Sequence, residues 1–281
     1  MTSRKEMARF CDRLDVSFGK VRKSENDTEV YFYGSGDYHH LTAALIARTS
    51  EPITVIHFDN HPDWCSFPSF SNCGGWVNRA LALPNVQRVI TIGPCSADLV
   101  RPELQTANLS AIANGRLEVF PWRAAPSRVW RRYPDTVCGR YVSGEIRWRN
   151  LADECWNGFL DELTDRLPET ALWITIDKDV LSSDEATTNW DQGQMSLDQI
   201  LGGLERLAAS RRIAGIDVCG EYSEPKYQHR IRAALANFDN PPRKPPGNDE
   251  LALNARGNAR LLESFECLLG SKVRSKTMAH A

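Results

Sequence analysis

The stretch Ile53-Thr54-Val55-Ile56-His57-Phe58-Asp59-Asn60-His61-Pro62-Asp63 decides both the fold and the place to look for function. Its first half is an apolar, β-branched run of the kind that forms a strand buried on both faces. Its second half sets Asp59, His61 and Asp63 at alternate positions. Side chains of an extended segment alternate faces, so these three leave the backbone on one side and can converge at the strand's carboxyl end. Groups of this kind are costly to bury unless a cation accompanies them. A second apolar run, Leu172-Trp173-Ile174-Thr175-Ile176, ends in the same manner with Asp177-Lys178-Asp179. Two carboxylate-tipped strands point to one shared metal centre. Carboxylates favour hard ions such as Mn2+ or Mg2+, and imidazole draws the preference toward Mn, Zn, Fe or Ni. Four carboxylates able to bridge, with one or more histidines, suit two ions roughly 3.5–4 Å apart, an arrangement that activates water for hydrolysis.

Working outward, strand-type runs recur at Val30–Tyr33, Arg88–Ile92, Leu117–Phe120 and Ile213–Val218 beside the two already quoted. Amphipathic stretches with apolar residues three and four apart lie between or after them, at Tyr38–Arg48, Cys155–Arg166, Leu197–Ala208 and Arg260–Leu269. Alternation of this kind predicts βαβ units, hence a mainly parallel sheet between helices, with ligands gathered at the carboxyl ends of strands. The 281 residues read as a single α/β domain.

Two segments break the rhythm. Residues 121–150 carry seven arginines and three tryptophans against only Asp135 and Glu145, and read as an inserted loop or hairpin. Residues 240–250 are rich in proline and read as a connection to the last helix.

A net charge of −2 gives no global argument for nucleic acid, which is disfavoured, or for a membrane surface. The opening residues lack the apolar core of a signal peptide, and no run approaches the ~20 apolar residues that cross a bilayer, so a soluble, cytoplasmic protein is expected. The eight cysteines are scattered singly, as expected of thiols in a reducing compartment.

Taken together the motifs resemble the ureohydrolase superfamily, the arginase and agmatinase group of binuclear manganese hydrolases. Asp59-Asn60-His61-Pro62-Asp63 is similar to the family's Asp-Ala-His-x-Asp, Asp177-Lys178-Asp179 to its later Asp-x-Asp, and Gly34-Ser35-Gly36-Asp37-Tyr38-His39-His40 to its Gly-Gly-Asp-His. Gly215-Ile216-Asp217-Val218-Cys219-Gly220-Glu221 resembles the segment with its guanidinium-binding Glu. The resemblance implies a three-layer αβα fold with a shortened N-terminal part and two Mn2+ ions. Asp59 and Asp177 would bridge both ions, with Asp63 and either His39 or His40 on one and His61 and Asp179 on the other. His39 is the preferred member of the histidine pair by its place in the run, and His57 reads as structural. Glu221 would anchor a guanidinium through charge-assisted bonds, and the implied products are urea and an amine. Relatives are often oligomers, which makes a homo-oligomer one expected form.

The chain departs from that pattern after Asp63. Residues 64–76 read Trp-Cys-Ser-Phe-Pro-Ser-Phe-Ser-Asn-Cys-Gly-Gly-Trp, with no His for a proton shuttle and no charged group to hold a free amino acid. Cys73 stands near the shuttle position, although a thiol suits that role poorly near neutral pH. Trp64, Phe67, Phe70, Trp76, Asn72 and Trp190 would form a more open, aromatic mouth. The expected substrate is therefore a guanidino group on a peptide, arginine becoming ornithine, or on another non-standard molecule. The rival expectations are a metal-dependent amide hydrolase or deacetylase, and a binding protein that keeps its metal without turnover.

Overall fold

A computed structural model describes residues 9–10, 28–66, 72–224 and 245–270, and the backbone of 274–277. Among the described residues, ten strands run in chain order as β1 (Glu29–Phe32), β2 (Ile53–Phe58), β3 (Val86–Ile92), β4 (Leu117–Phe120), β5 (Ser127–Arg128), β6 (Gly139–Val142), β7 (Glu145–Trp148), β8 (Ala171–Asp177), β9 (Ile213–Cys219) and β10 (Arg274–Thr277). Seven form one sheet in the order β10-β1-β9-β8-β2-β3-β4, and every pairing in it is parallel. All residues of β2 and β9 are buried. That continuous burial is why these strands are mostly apolar instead of alternating, since helices cover both faces of a parallel sheet, and why their polar members, Thr54, His57 and Asp217, are hydrogen-bonded.

The helices are α1 (Thr42–Ile46), α2 (Trp76–Leu81), α3 (Leu109–Ala113), α4 (Trp156–Arg166), α5 (Leu197–Ser210) and α6 (Asn248–Leu269). On one side α4 packs on α5 and α5 on α6, while α1 packs on α2, so the expected αβα layering holds. Helix α5 shows how local sequence sets an element. Ser196 and Gln199 close its first turn with a reciprocal capping box, and Leu197, Ile200, Leu204 and Leu207 form its buried stripe.

The predicted stretch Tyr38–Arg48 divides in two, a 3-10 turn over Gly36–Leu41 followed by α1. Helix α6 begins at Asn248, well before the expected Arg260. Its first turns bury Asn254 and Gly257 instead of large apolar residues, so hydrophobic spacing could not announce them.

Residues 121–150 contain a three-stranded antiparallel sheet of order β5-β7-β6. Ser143 and Gly144 turn its hairpin with φ of 51° and 86°, the left-handed pair that a two-residue connection requires. The insert is tied to the main body by Trp148, whose ring lies 6.2 Å from that of Trp64; within the insert, the Trp148 indole N–H donates to Ser127 Oγ at 2.6 Å. Residues 240–244 of the proline-rich connection lie outside the described residues.

Among the described residues, no helix is long and apolar enough to cross a membrane.

Candidate metal centre

The carboxyl ends of β2 and β8, adjacent in the sheet, carry Asp59, His61 and Asp63 and Asp177 and Asp179. Chain leaving β1 enters the 3-10 turn and brings His39 over the same edge. The four aspartates are nearly sealed from solvent, with exposures of 1% for Asp59, 6% for Asp63, 3% for Asp177 and 2% for Asp179. Asp63 holds φ at 47°, a left-handed conformation that aspartate tolerates better than most residues.

His39 Nδ1 lies 3.0 Å from Asp59 Oδ2, 3.3 Å from Asp63 Oδ2 and 3.5 Å from Asp177 Oδ2. It makes no hydrogen bond with any of them, because the approaches are out of line. Its other nitrogen, Nε2, is 2.9 Å from Thr175 Oγ1. The Thr175 hydroxyl spends its proton on Asp217 Oδ1 at 2.7 Å, so toward His39 it can only accept. A neutral His39 therefore carries its proton on Nε2 and turns the Nδ1 lone pair toward three carboxylates. Such a cluster calls for positive charge, met either by a second proton on His39 or by an ion among the carboxylates, and a divalent ion matches this donor set. The residues present thus fit a metal.

A second group shares Asp59. His61 Nδ1 is 3.0 Å from Asp179 Oδ2 and 3.5 Å from Asp59 Oδ1. His61 Nε2 sits 2.9 Å from Asp191 Oδ1, and Asn60 Nδ2 donates to Asp191 Oδ2 at 3.1 Å. Behind Asp59, His57 Nε2 approaches Oδ2 at 2.8 Å while its Nδ1 meets Thr91 Oγ1 at 3.1 Å.

Burial works against charge on His39 and His61, yet Cys219 beside His39, and the carboxylates around both, raise them well above the ordinary imidazole value, so the cluster favours positive charge at its centre. Burial first, and then the Asp59 charge, pushes the Asp63 carboxyl up to about 7. Burial and neighbouring carboxylates also raise Asp177 and Asp179. Burial opposes ionisation of Asp59 too, yet the surrounding His57, His39 and His61 hold it well below the usual carboxylate range.

Beneath the centre, Asp217 is fully buried. Its Oδ1 accepts from Tyr33, Thr42 and Thr175 at 2.9, 2.8 and 2.7 Å, and its Oδ2 from the Trp173 indole at 2.5 Å. Glycines make room for Asp177: a Cβ at Gly36 would stand 2.6 Å from Asp177 Oδ2, and one at Gly220, where φ is 90°, 2.4 Å from Oδ1.

Of the residues expected at the site, His39, Asp59, His61, Asp63, Asp177 and Asp179 are brought together. His40 faces away, with Nδ1 3.2 Å from the Asp37 carbonyl, and burial drives its imidazole down to about 4. The aromatic mouth needs correction. Trp64 and Trp76 are completely buried, so neither can line an opening to solvent. Trp64 packs inward on the insert, and Trp76 donates its indole N–H to Asp63 Oδ2 at 2.6 Å, which makes it a support for that carboxylate. Phe67 and Phe70 lie outside the described residues.

Cys73 is in a short 3-10 turn, and burial, with Asp63 and Asp37 nearby, pushes its thiol well up, away from acid–base work at neutral pH. Asn72 leaves a buried Oδ1 without a hydrogen-bond partner. Glu221 is engaged on both oxygens: Lys178 and Asn258 donate to Oε1, and Asn254 donates to Oε2 at 2.8 Å. Trp190 does remain by the site, half-buried, with its ring 5.6 Å from His61 and its N–H on Asp37 Oδ1 at 3.1 Å.

Sequence reasoning missed Asp191, Thr175 and the supporting part of Trp76. Thr175 shares a strand face with Asp177, a signal that alternation could have supplied. Asp191 had none, because it comes from a loop beyond Asp179.

No family model matches the chain. An uncharacterized protein of Thermotoga maritima is 26% identical over 192 residues, which cover 68% of this chain and 58% of that protein. A hypothetical agmatinase from Burkholderia thailandensis superposes with a TM-score of 0.56 at 15% identity, over 94% of this chain and 64% of the other. The chain thus spans less than two thirds of the length of both these proteins. Arginase from Bacillus cereus also gives a TM-score of 0.56 at 15% identity, over 95% of this chain and 79% of the other. A parallel sheet flanked by helices, with its acidic cluster at the strand ends and these superpositions, gives the chain the arginase and agmatinase fold, that of the ureohydrolases.

Proposed function

We propose that the protein is a metal-dependent hydrolase that holds two divalent ions, Mn2+ in the first instance, and cleaves a guanidino C–N bond to release urea and an amine. The observation that carries this reading is the buried Nδ1 of His39, without a hydrogen-bond partner and close to Asp59, Asp63 and Asp177 together, with a second group of His61 and Asp179 sharing Asp59. His39, Asp59, Asp63 and Asp177 would hold one ion, and His61, Asp179, Asp59 and Asp177 the other. Ions bound there would supply Lewis acidity and activate water at neutral pH.

The chain's own groups orient that chemistry. Thr175 fixes the His39 tautomer, His57 steadies Asp59, Trp76 holds Asp63 and Asp191 holds the far side of His61. A cationic guanidinium suits the acidic surroundings of the centre, where Asp191 meets His61 and Asp37 meets Trp190. Glu221 takes part by fixing Lys178 between the two aspartates of β8's end, since its carboxylate is already neutralised there. Residues 64–76 offer no charged group for the ammonium and carboxylate of a free amino acid. That favours an arginine side chain within a peptide, or a simpler guanidine, over free arginine.

Urea release by manganese-loaded protein tests this, with free arginine, agmatine and arginine-containing peptides as substrates and Asp177→Ala as control. Urea that depends on Asp177 and is greatest with peptides is the expected result. Protein shown to hold metal but silent across the panel would overturn the reading, and turnover of an amide without urea would replace it with an amide hydrolase.

A further inference from the structure

Cys219 ends β9 directly opposite Asp177 on β8, the two residues being partners in the parallel register. Its Sγ lies 3.2 Å from Asp177 Oδ2, and Cys219 is 1% exposed. Candidate ligand atoms of His39, Asp177 and Cys219 all lie within 4.8 Å of one another. His39 Nδ1, on a side chain 1% exposed, points into this same space without a hydrogen bond. A thiol alone in such a place would be an ordinary buried cysteine. An unpartnered imidazole nitrogen and a carboxylate oxygen in the same small space make it part of a candidate donor set.

We propose that Cys219 is a thiolate ligand of the ion held by His39 and Asp177. This inference rests on the metal reading above and deepens it by distinguishing the two ion positions. The His61–Asp179 position has only oxygen and nitrogen donors, as a hard ion prefers. The His39 position gains sulfur, which turns its preference from Mn2+ toward Zn2+, Fe2+ or Co2+. The two halves of the centre therefore select different metals. Binding replaces the S–H bond with an S–metal bond, and the displaced proton leaves to solvent.

The same register explains why the sulfur reaches the centre. Thr175 pairs with Asp217 and Asp177 with Cys219, so alternate positions of β8 and β9 fall on one face. Deeper in the sheet that face carries the Asp217 network, and at the rim it carries the thiol.

Cobalt-loaded full-length protein tests the assignment, with metal content measured on the same samples. The expected result is a near-ultraviolet sulfur-to-cobalt charge-transfer band in the wild type that disappears in Cys219→Ser, while the visible cobalt bands and cobalt content remain. X-ray absorption of zinc-loaded wild type needs no variant and should show a sulfur scatterer at about 2.3 Å. Bound cobalt without the band, a band that survives Cys219→Ser, or zinc with no sulfur neighbour would each overturn the thiolate while leaving the metal centre standing. A wild type that takes up no cobalt or zinc would remove the metal centre itself and the thiolate with it.

Discussion

At the scale of single residues, the centre depends on which nitrogen of His39 carries the proton. Asp217 is the origin of that choice: four donors fix its carboxylate, one of them the Thr175 hydroxyl, and Thr175 in turn can only accept from His39 Nε2. Removing the hydroxyl while keeping the shape, Thr175→Val, takes away the acceptor and frees the imidazole to rotate or change tautomer. Loss of such an outer partner typically costs 10–100-fold in metal affinity, so a weakening of about that size is expected in a chelator-competition titration. Unchanged affinity would mean that His39 is held by its carboxylate neighbours alone. Asp59, His61 and Asp63 were legible because strand alternation at the end of an apolar run leaves little else for them to do. Trp76 and Asp191 were not, because an indole that supports Asp63 is indistinguishable in sequence from a core tryptophan, and a loop carboxylate carries no periodicity.

At the scale of elements, the loop that ends β8 is fastened to α6. Lys178 stands between two candidate ligands, is 1% exposed, and is paired with Glu221, whose side chain is 30% exposed. Asn258 and Asn254 of α6 complete the arrangement. Truncating Glu221 to Ala leaves an ammonium buried without its counter-charge. A cost of about 2–3 kcal/mol in urea unfolding is expected, toward or below the low end for breaking a buried pair because Glu221 is partly solvated. Adding Lys178→Met should recover most of it. Full stability in Glu221→Ala would show that the two asparagines suffice.

This fastening also explains the part of α6 that periodicity missed. Apolar spacing reports a helix only where it packs on apolar neighbours, and the first half of α6 instead presents amides to a charged pair. Strands β1, β2, β3, β4, β8 and β9, by contrast, were readable to within two residues, since burial on both faces leaves a mostly apolar run that turn and loop residues bound clearly.

At the scale of the whole molecule, the centre unites chain segments that are far apart in sequence. His39 follows β1, Asp59 follows β2 and Asp177 ends β8, and β9 lies between β1 and β8 in the sheet. Metal binds only where all of these have met, so its binding free energy adds to folding stability, by about 2.7 kcal/mol at a hundredfold excess over the dissociation constant. Addition of metal to chelator-stripped protein should therefore raise the melting temperature, and Asp177→Ala should abolish the rise. Non-local strand pairing closes late in folding, which makes the effect kinetic as well. Metal should slow unfolding and leave refolding nearly unchanged, as stopped-flow urea jumps can show; accelerated refolding would place the centre's assembly before the barrier.

The parallel sheet described above thus does more than present ligands. Because β9 separates β1 from β8 in the sheet, a chain with strands misordered or missing has no complete donor set. In a cell that rations its metals, occupancy of the centre becomes a certificate of correct topology, conferred on finished molecules and withheld from the rest.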